Sequence, residues 1–126
     1  MKKTFMTIVI IIAAGLLMTP GCKKADNQVF DIEGDWVFTI TSQAGAEVTV
    51  NFSFSNLSVF TGGNEVGRYT LRLSTVNMEI TRPLDSGAVV DEVYVGFFDD
   101  VNTMSGTMTR YPESGSTENL TWKAQR

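Results

Sequence analysis

Two hydrophobic patterns divide the chain. From Phe5 to Leu17 the residues are apolar almost without a break, interrupted only by Thr7 and the small Ala13, Ala14 and Gly15. From Ile32 onward apolar and polar positions alternate, the period of a strand with one buried face. No window after the first run carries a 3.6-residue repeat, so no long helix is predicted there. Thr, Val, Phe and Ser dominate, which suits half-buried strands.

Eight strand-like runs follow from the alternation. The first, about Gly34 to Ser42, puts Trp36, Phe38 and Ile40 on one face. The second, Glu47 to Ser55, is the most regular: Val48, Val50, Phe52 and Phe54 alternate with Thr49, Asn51, Ser53 and Ser55. A short third run covers Leu57 to Thr61. The fourth, Glu65 to Ser74, turns Tyr69, Leu71 and Leu73 inward, and the fifth, Val76 to Arg82, turns Val76, Met78 and Ile80 inward. The sixth, Ala88 to Phe98, is expected to bury Val89, Val93, Val95 and Phe97. Met104 and Met108 mark the seventh, Asn102 to Arg110; Leu120, Trp122 and Ala124 mark the eighth, Thr117 to Arg126.

The separators alternate in kind. Gln43 to Ala46, Gly62-Gly63-Asn64, Pro83 to Gly87 and Tyr111 to Ser116 follow the odd runs. Asn56, Ser74-Thr75 and Asp99 to Val101 follow the even ones and are shorter. In an up-and-down meander the odd turns share one end and the even turns the other. Eight regular runs predict an all-β, eight-stranded antiparallel meander that closes into a barrel and so has no exposed edge. A two-sheet β-sandwich is the alternative.

Composition changes the picture at the amino terminus. Lys2 and Lys3 precede the apolar run, and small or helix-breaking residues lead from it to Cys22, the single cysteine. A positive start, a short apolar core and small residues before a processing point make a secretory signal peptide, too short for a spanning helix. Leu16-Leu17-Met18-Thr19-Pro20-Gly21-Cys22 resembles a bacterial lipobox. That resemblance implies diacylglyceryl transfer to the Cys22 sulfur, cleavage before it and acylation of the new amino terminus. The expected organisation is a signal peptide (1–21, the only helix), a lipidated Cys22 with a tether (22–31), and a barrel domain (32–126). A secreted protein with a free thiol is the alternative, but an unpaired thiol is a liability in an oxidising compartment. Lys23 after the cysteine is unlike an acidic retention signal and points to the outer membrane.

The charge balance excludes one class. The chain carries 10 basic and 14 acidic residues, a net charge of −4. No basic footprint for nucleic acid exists. Acidity here serves solubility.

Gly34-Asp35-Trp36 at the head of the first run resembles the G-x-W opening of lipocalin-like (calycin) barrels. The resemblance spans residues 31 to 126 as a pattern. The chain is shorter than most members and lacks their helix, a brevity shared by small bacterial lipocalin-like lipoproteins. Gly34, Trp36, Trp122 and Arg126 would then be structural residues. The resemblance implies a Trp inside the closed end, under a cationic side chain from the last strand. Arg126 has the parity for that position over Trp36, and Lys123 is the second choice.

Catalytic chemistry finds no purchase. The absence of His removes Ser-His-Asp and Cys-His catalysis and imidazole metal sites. One cysteine excludes a disulfide and a thiolate zinc site. Asp91-Glu92 and Asp99-Asp100 are the carboxylate pairs to consider, but Asp99-Asp100 sits where a turn is needed. No enzyme, metal or cofactor is expected. An eight-stranded barrel is just wide enough to be filled by side chains or to hold one small ligand. The inward list (Trp36, Phe38, Phe52, Phe54, Tyr69, Phe97, Trp122 and three methionines) argues for filling. Arg82 and Arg110 share inward parity near the open mouth, where a fatty-acid-like ligand would place its carboxylate; the favoured alternative is that these strand-end arginines turn out into water. Tyr69, Arg82 and Arg110 are the candidate ligand residues. The expectation is a non-enzymatic, membrane-anchored envelope protein that binds a small apolar or amphipathic ligand. The alternative is a filled barrel contacting another envelope protein through its longer loops.

Overall fold

The computed structural model describes residues 29–126. The expected signal peptide, Cys22 and most of the expected tether lie outside the described residues. Eight strands follow: β1 (Gly34–Thr41), β2 (Glu47–Ser55), β3 (Ser58–Thr61), β4 (Asn64–Arg72), β5 (Thr75–Pro83), β6 (Val89–Asp100), β7 (Thr103–Pro112) and β8 (Glu118–Gln125). Each pairs antiparallel with the next, and β8 returns to β1 to close the barrel. Closure replaces the sandwich alternative.

The inward faces follow the alternation. β5 buries every second residue, Val76, Met78, Ile80 and Arg82. Trp36, Phe38 and Ile40 from β1 meet Leu120, Trp122 and Ala124 from β8. Phe38 stacks on Trp122 with centroids 5.0 Å apart and meets Phe52 edge-on, also at 5.0 Å. Tyr94 stands edge-on to Phe38, Phe52 and Trp122 at 6.0 Å each. Offset and edge-to-face packing of this kind fills the interior.

Three expectations about facing are corrected. β6 turns Val90, Glu92, Tyr94 and Phe98 inward, whereas Val89, Val95 and Phe97 are exposed and Val93 is half-buried; Phe97 is 52% exposed. A shift of one residue exchanges the two faces of a strand, and here it makes Glu92 an inward residue. Leu73 is not buried: it lies in the β4–β5 turn with φ of 56°. Val48 is exposed because its end of β2 rises beyond the short β3.

That short β3 shapes the mouth. It pairs only with Ser53 to Ser55 of β2, and the β4–β5 ladder ends at Gly67 opposite Ile80. The start of β2 and the end of β5 therefore flank a notch in the wall. At mid-barrel Gly96 and Gly106 face each other across β6 and β7. A Cβ on Gly96 would run into the Ser105 carbonyl and the Trp122 ring; one on Gly106 would meet the Val95 carbonyl and the Gly96 Cα. Paired glycines let the strands bend and the Trp122 indole lie against them.

Candidate functional site at the barrel mouth

Arg82 from β5, Glu92 and Tyr94 from β6, and Arg110 from β7 converge at the mouth. The Arg82 Nε donates to Glu92 Oε1 at 2.8 Å and its Nη2 to Oε2 at 3.2 Å. Arg110 donates from Nε to Glu92 Oε2 at 3.0 Å, and its Nη2 lies 2.9 Å from the same oxygen. The Tyr94 hydroxyl donates to Oε1 at 2.8 Å. Glu92 is 1% exposed. Such a buried carboxylate is stable only when paired and hydrogen-bonded, as here.

The buried core of the site and its rim carry opposite charge excesses. Two guanidinium groups face one buried carboxylate, an excess of one positive charge. Glu118 at the rim, 3.4 Å from Arg110 Nη1, offsets that excess, and Asp85 also lines the cleft above. Burial disfavours the charge on Arg82, yet hydrogen bonding and attraction from Glu92 outweigh it and raise its pKa. Burial first, and then the charge and hydrogen bond of Glu92, push the Tyr94 hydroxyl well above the ordinary tyrosine value. Among the described residues no buried side-chain nitrogen or oxygen lacks a partner.

A cleft of about 340 Å3 lies over this cluster, lined by Val48, Thr49, Val50, Arg82, Leu84, Asp85, Ser86 and Arg110. It occupies the notch beside β2. Its apolar side is Val48, Val50 and Leu84; its cationic floor is the two arginines. A larger depression of about 510 Å3 lies on the outer wall among threonines near Gly106; it lacks a comparable charge cluster.

The other candidates lie elsewhere. Tyr69 does not join the arginines. It is buried toward the opposite end, edge-on to Phe54 at 5.3 Å, and its backbone N–H donates to the Leu57 carbonyl. At that closed end Trp36 Nε1 donates to the Ile32 carbonyl at 2.8 Å, and the Arg126 guanidinium lies 4.5 Å above the Trp36 ring. Arg126 also donates to the carbonyls of Glu33 and Val101. Gly34 turns the chain into β1 with φ of +115°, which favours glycine. Lys123 is exposed. Asp91 points outward and accepts from Thr81, while Asp100 caps the Asn102 N–H in the β6–β7 turn. Among the described residues no three His, Cys, Asp or Glu side chains gather as metal ligands.

Glu92 and Tyr94 are the site residues that the alternation alone misses. One signal was present. Two inward arginines on β5 and β7 require an anion between them, and only the parity of Glu92 on β6 supplies it.

The chain matches no family model and no curated protein. Two solved structures are similar. A redesigned beta barrel shares 20% identity, with a TM-score of 0.57 over 75% of this chain and 90% of that one. The protein EF1p2_mFAP2b, bound to DFHBI, shares 16%, with a TM-score of 0.57 over 75% and 93%. These likenesses define the class as an eight-stranded antiparallel β-barrel.

Proposed function

We propose that this protein is a lipid-anchored bacterial envelope protein of lipocalin-like type, not an enzyme, whose mouth binds a small amphipathic carboxylate. The observation that carries the reading is the Arg82–Glu92–Arg110 cluster under a half-apolar cleft. Filling such a position with apolar side chains is often neutral or stabilising by about 1–4 kcal/mol. A buried ionic cluster at a mouth is therefore better explained by recognition than by stability. The guanidinium groups of Arg82 and Arg110 suit a carboxylate, which competes with Glu118 for Arg110, and Val48, Val50 and Leu84 suit a short apolar chain. The cleft volume lies at the lower end of the range of about 300–1,000 Å3 for ligand pockets. The solved barrel bound to DFHBI is a precedent for a barrel of this fold holding a small molecule.

The test uses a dansyl-labelled medium-chain fatty acid and an apolar replacement of the cluster, Arg82→Met/Glu92→Leu/Arg110→Met. Saturable, competable binding to the wild type is expected, with loss in the triple variant at an unchanged or raised Tm. No saturable binding to a folded wild type would sink the ligand reading. The filled interior then favours the second reading, a partner protein of the envelope at the 42–46, 84–88 and 113–117 loops.

A further inference from the structure

The geometry points to the closed end of the barrel as a surface that rests on the lipid bilayer, with the mouth directed away from it. This rests on the lipid-anchor reading and goes beyond it, since a tether alone fixes no orientation. The three tight turns of the closed end, at residues 56–57, 73–74 and 101–102, each carry an exposed aliphatic side chain: Leu57, Leu73 and Val101. Leu73 is 88% exposed.

Two of these residues violate turn chemistry. Leu57 has φ of 67° and Leu73 φ of 56°. Bulky side chains rarely adopt the left-handed region, where Gly, Asn or Asp serve two-residue hairpins better. The mouth end obeys that rule: its left-handed positions are Gly45, Gly62, Gly63, Gly87 and Gly115. Strained, exposed leucines at one end only are a feature of that end and not of the fold, and strain of this kind marks functional positions.

The chain itself names the occupant. The described residues begin with exposed Val29 at this same end, and the preceding residues hold Cys22 and the Lys23-Lys24 pair. An anchor attached here brings the three aliphatic tips to the interface, where they enter the boundary between headgroups and acyl chains. The tips are held in place by the closed-end network. Glu33 accepts from the Asn56 N–H, and Arg126 binds the Val101 carbonyl. Asp31, Glu33, Asp99 and Asp100 are matched in number by Arg72, Arg126 and the Lys23-Lys24 pair of the preceding segment. The end thus carries no strong charge of either sign, which suits zwitterionic lipid.

The test uses the full lipidated chain in phosphatidylcholine vesicles. An environment-sensitive fluorophore is attached at Leu57→Cys, Leu73→Cys or, at the mouth, Ser86→Cys; a lipidated Cys22 does not react. Blue-shifted emission and quenching by a lipid-borne spin label at positions 57 and 73, several-fold above position 86, is the expected result. Comparable water exposure at all three positions, in protein that still floats with the vesicles, overturns the orientation and leaves the anchor intact. A blue shift at 57 and 73 without lipid quenching assigns the tips to a protein partner or a second copy and also overturns it. Protein that fails to float removes the anchor reading and this inference together.

Discussion

Tyr94 is the residue where burial and charge meet most sharply. Its hydroxyl stands beside the Glu92 carboxylate inside the barrel, and both burial and that carboxylate favour its protonated form. Its folded pKa is raised above the ordinary value of 10.0. Stability from this group is therefore fully present below pH 10 and is lost as pH rises, because only the unfolded chain then releases the proton. One such proton changes the unfolding free energy by about 1.4 kcal/mol per pH unit. Tyr69 is shifted in the same direction, mainly by burial, and adds to the slope. Tyr94→Phe should reduce the fall in stability between neutral and alkaline pH by close to one proton's worth. Denaturant melts at stepped pH measure it, and an unchanged slope in the variant would show that Tyr94 ionises freely in the folded barrel.

At the scale of the element, β6 and β7 form the longest ribbon and the one that sequence reads least well. The alternation of β5 was legible because Val76, Met78 and Ile80 are apolar and their neighbours polar. β6 is apolar on both faces, with Val89, Val93, Val95 and Phe97 against Val90, Tyr94 and Phe98. The apolar count favoured the wrong face, and the deciding residue, Glu92, is a charge whose burial depends on strands distant in sequence. The glycines behave alike. Gly96 and Gly106 carry no signal in the alternation, yet register puts them opposite each other under Trp122. Gly96→Ala should destabilise the barrel by about 3 kcal/mol, since a methyl there meets backbone and indole together. For a domain of this size that lowers Tm by roughly 12–24 °C. A Tm within about 3 °C of wild type would mean that the ribbon relaxes around the methyl and that the glycines are not needed for its bend.

The whole molecule is polarised along the barrel axis. The closed end holds the Trp36–Arg126 pair and the point where the chain enters the barrel; the mouth holds the charge cluster and longer loops. Closure and strand number were legible from regular spacing, because turn residues at even intervals leave few other topologies. The mouth notch was not, because it depends on how far β3 extends. Separation of the ends makes their roles independent, since distant sites without shared partners add. Each acyl methylene contributes roughly 0.8 kcal/mol to membrane binding, and two or more chains anchor stably. Three aliphatic turn tips, each worth about 1.5–3 kcal/mol at full burial and less at an interface, do not replace them. Cys22→Ala should therefore move the protein from the salt-washed membrane fraction to the soluble one, while fatty-acid binding and Tm stay at wild-type values. Retention of that variant in the washed membrane would refute the lipid anchor. A loss of ligand binding on release would show instead that the membrane shapes the mouth and that the two ends are coupled.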